Sequence, residues 1–305
     1  MTTSTLSSIG SAAPAPVAGR AIQTNARPSA NFADKLADTE ALLRRAASEF
    51  APLTQASSLG AEDVVITHIV QRLQLPIPLF VLETGALHAE TRALLERTQA
   101  RAPAAVQVYR PVQESVVQFV AREGQDAMYR SIELRKACCH IRKIEPLARA
   151  LDGQRAWITG LRREQSDGRA DVPFAETEAG GRLKLNPLAH WSWADVWHYI
   201  RLHDVPYNAL HDRFFPSIGC EPCTRPVLPN QHEREGREPV VVHLAAVHQH
   251  ERRAPCIAPE GRQVELSPRH GRRKLRAHPP GHQLRARPRE VARGEPRGLG
   301  RGGGD

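Results

Sequence analysis

From residue 31 onward the apolar positions follow a helical period and then break. Phe32, Leu36, Ala41 and Leu43 recur at near-helical spacing among charged residues, so Asn31 to Phe50 reads as a helix. A short apolar stretch leads into Ser57-Ser58-Leu59-Gly60-Ala61-Glu62-Asp63, and Asp63 to Leu73 reads as the next helix. Leu79-Phe80-Val81-Leu82 is a continuous apolar run of the kind found in strands covered on both faces. A helix from about His88 to Gln99 and a strand over Val106-Gln107-Val108-Tyr109 repeat the rhythm, and Ala156-Trp157-Ile158-Thr159 supplies another strand ending in Gly160. Strand, glycine loop, helix and strand in alternation predict an α/β fold, a doubly wound parallel sheet with helices on both faces. Ser192 and Asp195 form a capping-box variant opening a helix with Val196, Trp197 and Ile200 on its apolar face, which assigns Trp191, Trp193 and Trp197 to the core.

Charge changes this picture only towards the end of the chain. The 305 residues carry 42 Lys and Arg against 33 Asp and Glu, a net +9 that would by itself suggest nucleic acid. Residues 238–305 hold fourteen of those basic residues and seven of the acidic ones, so seven of the nine surplus charges lie there and the rest of the chain is nearly neutral. That segment has eight Pro, nine Gly and no Phe, Trp or Tyr. Beyond about Val247 it has no helical or alternating apolar period, and it is expected to be a disordered basic tail. Charge without interleaved aromatics for bases to stack on argues against nucleic acid as a partner. The expected organisation is a disordered N-terminal segment over 1–30, a folded domain over 31–237 and the tail over 238–305.

Compartment follows from what is missing. The Ser/Ala/Pro/Thr-rich segment Met1 to Ala30 has no basic stretch leading into an apolar core, so it does not read as a secretion signal. No apolar run approaches the roughly eighteen residues that span a bilayer, which leaves no membrane partner. Five cysteines are too few for a stapled secreted fold. A cytoplasmic protein is expected.

Ligands of a doubly wound sheet bind beyond the carboxyl ends of the strands, where a loop exposes backbone N–H groups at a helix N-terminus. The Ser57 to Asp63 loop has that position. It lacks both the nucleoside-triphosphatase and the dinucleotide glycine patterns. Cys138-Cys139 and Cys220-x-x-Cys223 bring four thiols from two segments, a set able to hold tetrahedral zinc or an iron–sulfur cluster. Adjacent cysteines favour the cluster, because two neighbouring side chains reach separate irons more easily than they converge on one ion. Arg142, Lys143, Arg162, Arg163, Arg169, Arg234 and Arg237 stand beside these elements, and guanidinium groups match phosphate and sulfate oxygens bidentately.

Six blocks, from Ser57 to Asp63, Leu82-Glu83-Thr84-Gly85 with His88 and Glu90-Thr91, Cys138 to Lys143, Trp157 to Ser166, Asn186-Pro187-Leu188, and Pro206-Tyr207-Asn208 running to Leu228-Pro229, together resemble the assimilatory adenylyl-sulfate (APS) and phosphoadenylyl-sulfate (PAPS) reductases. The similarity spans about residue 35 to 237, and Ile218-Gly219-Cys220-Glu221-Pro222-Cys223-Thr224-Arg225 makes it specific. The resemblance implies an adenine nucleotide α-hydrolase-like fold and reduction of APS to sulfite and AMP, with thioredoxin or a similar thiol as donor. It implies a 4Fe-4S cluster on Cys138, Cys139, Cys220 and Cys223, and this cysteine set points to APS over PAPS. For the substrate it implies Ser57, Ser58, Gly60, Glu62, Leu82, Thr84 and Gly85 around the nucleotide, with Lys143, Arg162, Arg169, Arg234 and Arg237 offsetting its charge. In the family a cysteine thiolate attacks the sulfate sulfur, AMP leaves, and a second thiol frees sulfite from the S-sulfocysteine.

The likeness stops at Glu238. The family's nucleophile sits in a Glu-Cys-Gly-Leu-His segment near the C-terminus, and this sequence has none. A GC-rich gene read out of frame yields Arg, Pro, Gly and Ala in the proportions of residues 238–305, so a frame shift at about residue 237 is expected. Cys256, in Arg253-Ala254-Pro255-Cys256-Ile257-Ala258-Pro259, is the one remaining cysteine and is unlike the family segment. The expectation is a chain that binds cluster and nucleotide but reduces APS poorly or not at all. The residues leave open a PAPS reductase, a zinc-bearing relative that activates its substrate with ATP, a catalytically dead nucleotide binder, and a homo-oligomer.

Overall fold

The computed structural model describes residues 19–228 and 231–237. The expected disordered tail, the frame shift and Cys256 lie outside the described residues, as do residues 1–18. Helix α1 (Arg20–Asn25) and α2 (Phe32–Glu49) precede the first strand, β1 (Leu53–Ser57). Then follow α3 (Ala61–Arg72), β2 (Leu79–Leu82), α4 (Ala89–Arg101), β3 (Gln107–Tyr109), α5 (Gln113–Glu123), α6 (Ala127–Arg130) and α7 (Ile132–Cys139). A wide π-type turn over His140–Ile144 joins α7 to α8 (Glu145–Ala150), and β4 (Ala156–Ile158), β5 (Ala175–Thr177), β6 (Leu183–Leu185) and α9 (Trp193–His203) complete the order.

The strands form one sheet in the order β3-β2-β1-β4-β6-β5. The pairs β1–β2, β2–β3, β1–β4 and β4–β6 are all parallel, as the alternation of elements predicts. The edge strand β5 departs from an all-parallel sheet and runs antiparallel to β6. A turn with Gly181 at φ +78° joins the two, and a hairpin this short can connect only antiparallel strands. Exposed, polar Ala175-Glu176-Thr177 carries no apolar signal; its register is marked instead by the cross-strand pair Lys184–Glu176 at 2.7 Å.

Both faces of the sheet are covered. Leu43, Val65, Ile66, Ile69, Trp191, Trp197 and Ile200 pack one face through α2, α3 and α9, while Phe80, Ala150 and Leu151 pack the other through α8. Each fully buried aliphatic side chain there contributes about 2 kcal/mol. The Ser192–Asp195 capping box is present, with Asp195 N donating to Ser192 Oγ at 3.0 Å and Ser192 N donating to Asp195 Oδ2 at 3.0 Å. Trp191 and Trp197 are buried in the core, whereas Trp193 is half-buried.

Where it is described, the N-terminal segment departs from the expected disorder: residues 20–25 form α1, and its Ala21 and Ile22 join the main core. Ala21 N donates to Asp212 Oδ1 at 2.9 Å and ties α1 to the helical turn Ala209–Arg213. Six residues are too short for a periodic signal in the sequence. Among the described residues no helix is long and apolar enough to cross a membrane.

Candidate active site

Strand order reverses between β1 and β4, and the carboxyl ends of β1, β2 and β4 meet there around a cleft of about 370 Å³. Ser57, Ser58, Gly60 and Glu62 line it from the loop after β1, with Leu82 and Thr84 from the end of β2. Lys143, Arg169, Arg234 and Arg237 line it from three other segments, beside Cys220. These are eleven of the residues the sequence assigns to substrate or cluster. Ala56, Phe80, Leu147 and Trp157 supply apolar wall.

The loop departs from a simple glycine turn. Leu59, not Gly60, holds the left-handed conformation at φ +61°, its side chain anchored in the core at 1 % exposure. Strain of this kind persists only where surrounding contacts over-determine it. Ser58 donates to Asp63 Oδ2 twice, from its backbone N at 2.6 Å and from Oγ at 2.8 Å, and Leu59 N donates to Ser57 Oγ at 3.1 Å. Burial pushes the Asp63 carboxyl up to about 6 despite these donors. Gly160 must be glycine, because a Cβ there would lie 2.4 Å from Asp63 Oδ1. Asp63 closes the Ser57 to Asp63 block in the sequence, yet reading that block for anion donors passed over its carboxylate.

Arg162 does not line the cleft. Its side chain is fully buried, with Nε donating to Glu62 Oε1 at 2.8 Å and Nη2 donating to Glu233 at 3.0 and 3.1 Å, and its guanidinium lies over the Trp193 ring at 5.2 Å. A charge buried this deeply must be paired, and Arg162 is paired with the carboxylates of Glu62 and Glu233, while its Nη1 has no hydrogen-bond partner. Burial raises the Glu62 carboxyl, but Arg162 and Gln165 outweigh it and hold that carboxyl below its ordinary range. Gly85 also stands off the cleft wall. At φ +70° it turns the chain past Arg142, whose Nη1 donates to Thr84 O at 2.7 Å.

Asn186 serves the core as well: it is fully buried and accepts from Thr159 Oγ1 at 2.6 Å. Asn208 Nδ2 donates to Thr91 Oγ1, a residue of the cleft wall, at 2.8 Å. The Asn186-Pro187-Leu188 block therefore shapes the site without facing it, while the block from Pro206 onward reaches the cleft through Pro216 to Cys220.

The four cysteines are free thiols drawn into one neighbourhood. Cys138 and Cys139 end α7, which Ser131 caps by accepting from Leu134 N at 3.2 Å. Cys220 and Cys223 flank one tight turn, with Cys223 N donating to Cys220 O at 3.0 Å. Glu221 N donates to Ala86 O at 2.8 Å, and Tyr129 OH to Pro222 O at 2.6 Å, holding that turn beside β2 and α6. Thr84 Oγ1 lies 3.2 Å from Cys220 Sγ. Burial pushes the Cys138 and Cys223 thiols up, more than Arg142 and Arg135 offset, and each also senses Cys220 and Cys139. Among the described residues no three His, Cys, Asp or Glu side chains converge as a single ion requires.

A family profile described as the phosphoadenosine phosphosulfate reductase domain matches residues 52–226. The adenosine 5'-phosphosulfate reductase of Burkholderia cepacia is 48% identical over 207 residues, covering 68% of this chain and 83% of that protein. The protein of the same name from Allochromatium vinosum is 47% identical over 197 residues, covering 64% and 77%. The crystal structure of phosphoadenylyl-sulfate reductase from Candida auris, a phosphate complex, superposes with a TM-score of 0.53 at 28% identity, over 64% of this chain and 97% of that one.

Proposed function

This chain belongs to the phosphoadenosine phosphosulfate reductase domain family, and from that membership we propose that its cleft takes adenosine 5'-phosphosulfate and that its reaction is reduction of the sulfate group to sulfite with release of AMP. One observation carries the reading: a helix N-terminus at the sheet's switch point, four cationic side chains and a thiol of the cysteine set line a single cleft. The helix is α3, whose backbone N–H groups favour an anion. Lys143, Arg169, Arg234 and Arg237 offset the two adjacent negative charges of a phosphosulfate. Ala56, Phe80 and Trp157 give a purine an apolar surface.

The chemistry sets a demand on charge. A thiolate attacks the sulfate sulfur, the S–O bond to the AMP phosphate breaks, and AMP leaves with the electron pair. A second thiol then attacks the sulfur of the S-sulfocysteine, sulfite leaves, and a disulfide remains. An anion approaching an anion needs fixed positive charge in a water-poor site, which is the role we give the four cations. The second thiol comes from a carrier such as thioredoxin, in a cytoplasm that keeps free cysteines reduced.

Cys138, Cys139, Cys220 and Cys223 would hold a 4Fe-4S cluster. Their number, their origin in two segments and the hydroxyl of Thr84 on Cys220 support that assignment. When bound, the cluster adds its own charge to the electrostatics of the cleft on the side of Lys143. With these four committed, the described residues offer no attacking cysteine, and turnover in this chain is correspondingly impaired.

Anaerobic assay of sulfite release from APS, alongside PAPS and with a reduced thiol donor, tests the reading. Slow release from APS and less from PAPS is expected. Preference for PAPS would overturn the substrate assignment, and a rate matching an intact relative would overturn the impairment.

A further inference from the structure

We propose that Glu233 is a positioning residue for the ligand: by pairing with the buried Arg162 it fixes the 231–237 segment so that Arg234 and Arg237 face the cleft. The inference rests on the reading of that cleft as an APS site.

One guanidinium joins two distant parts of the chain. Arg162 reaches Glu62, in the first turn of α3, through Nε at 2.8 Å, and both carboxylate oxygens of Glu233 through Nη2 at 3.0 and 3.1 Å. The glutamate is thereby tied to the loop that holds the nucleotide. The segment's other attachments are hydrogen bonds and one close contact: Gln231 Oε1 accepts from Leu228 N at 2.8 Å and Arg225 Nη1 at 3.2 Å, Gln231 N donates to Leu228 O at 3.1 Å, Arg225 N donates to Gly236 O at 3.1 Å, Arg135 Nη2 donates to Arg237 O at 3.2 Å, and the Arg237 guanidinium abuts Gly219. Of these, the pairing of Glu233 with Arg162 is the one that joins side chain to side chain by full opposite charge, with Glu233 16% exposed and Arg162 fully buried.

Electrostatics gives the tie its purpose. Arg169 and Arg237 are depressed by burial first and then by the like charge of Arg234, so the guanidinium groups repel one another. Glu62 and Glu233 act in the opposite direction on Arg169. Glu233 therefore does two things at once: it anchors the segment against that repulsion and supplies counter-charge behind it. A carboxylate that merely stabilised the fold would do neither selectively.

A double-mutant cycle separates the two roles. APS binding to the full chain, purified anaerobically, is measured by calorimetry for wild type, Glu233→Gln, the pair Arg234→Ala with Arg237→Ala, and all three together. Glu233→Gln is expected to weaken binding about tenfold in the wild type, the loss of one charge-assisted tie, and less than about twofold where the two arginines are already gone. Trypsin is expected to cut faster after Arg234 and Arg237 in Glu233→Gln. Wild-type affinity in Glu233→Gln, or an undiminished loss without the arginines, would overturn the proposal. Should Glu233→Gln fail to fold, Glu233→Asp keeps the charge on a shorter stem, and wild-type affinity together with unchanged tryptic cleavage in it would overturn the proposal. If the wild type itself does not bind APS, the reading of the cleft falls, and the tryptic rates decide the tie alone: faster cleavage keeps it and an unchanged rate overturns it.

Discussion

The guanidinium of Arg237 sits against the backbone of Gly219, so closely that a Cβ at the glycine would lie 2.5 Å from its central carbon and from Nη1. Gly219 precedes Cys220, so the turn that carries two of the thiols also seats an arginine of the cleft. Only the end of a flexible side chain has to give way. Gly219→Ala is therefore expected to change the thermal midpoint by no more than about 2 °C while weakening APS binding about tenfold, read by calorimetry.

Asp63 predicts a pH dependence. Burial raises its folded value to about 6, above the ordinary carboxyl value near 4. Its proton is held below that value and lost as pH rises through 6, which adds a negative charge to the cleft wall. The phosphosulfate itself stays fully ionised over this range. APS affinity is expected to fall about threefold from pH 5 to pH 7 in the wild type and to stay level in Asp63→Asn, measured by titration at each pH.

Asp195 predicts a stability effect away from the cleft. Burial would raise its carboxyl, but Lys35 Nζ at 2.8 Å, with Ser29 N, Ser29 Oγ and Ser192 N, holds it well below the usual carboxylate range. A depressed value means stabilisation that is complete above the ordinary carboxyl value and lost as pH falls through the folded one. Asp195→Ala is expected to cost about 3 kcal/mol at pH 7, from denaturant midpoints, with the gap to wild type narrowing below pH 4.

The cysteines predict a split in iron content. Cys220→Ser removes one proposed ligand and is expected to lower iron, measured on anaerobically purified protein, by more than about half. Cys256→Ser is expected to leave iron unchanged. Equal iron in wild type and Cys220→Ser would remove Cys220 from the ligand set.

Much of this architecture could be read from apolar runs and punctuation. Leu79 to Leu82 is β2 as predicted, and the capping box at Ser192 and Asp195 opens α9. Short or polar elements escaped: α1 is too brief for a period, and β5 has no apolar face. In the site, spacing revealed residue types but not their partners. Arg162 has the same signature in the sequence as Arg169, and only the fold shows that two carboxylates have claimed it. Glu233 sits between His232 and Arg234 in a charged run where nothing local marks it, since its partner is 71 residues away.

Equilibrium titration of the anaerobically purified full chain with APS tests the central claim most directly. The account predicts saturable binding at one site per chain, weakened at least about tenfold when Arg234 and Arg237 are both replaced by Ala. Absence of saturable binding, or binding indifferent to those two replacements, would contradict it.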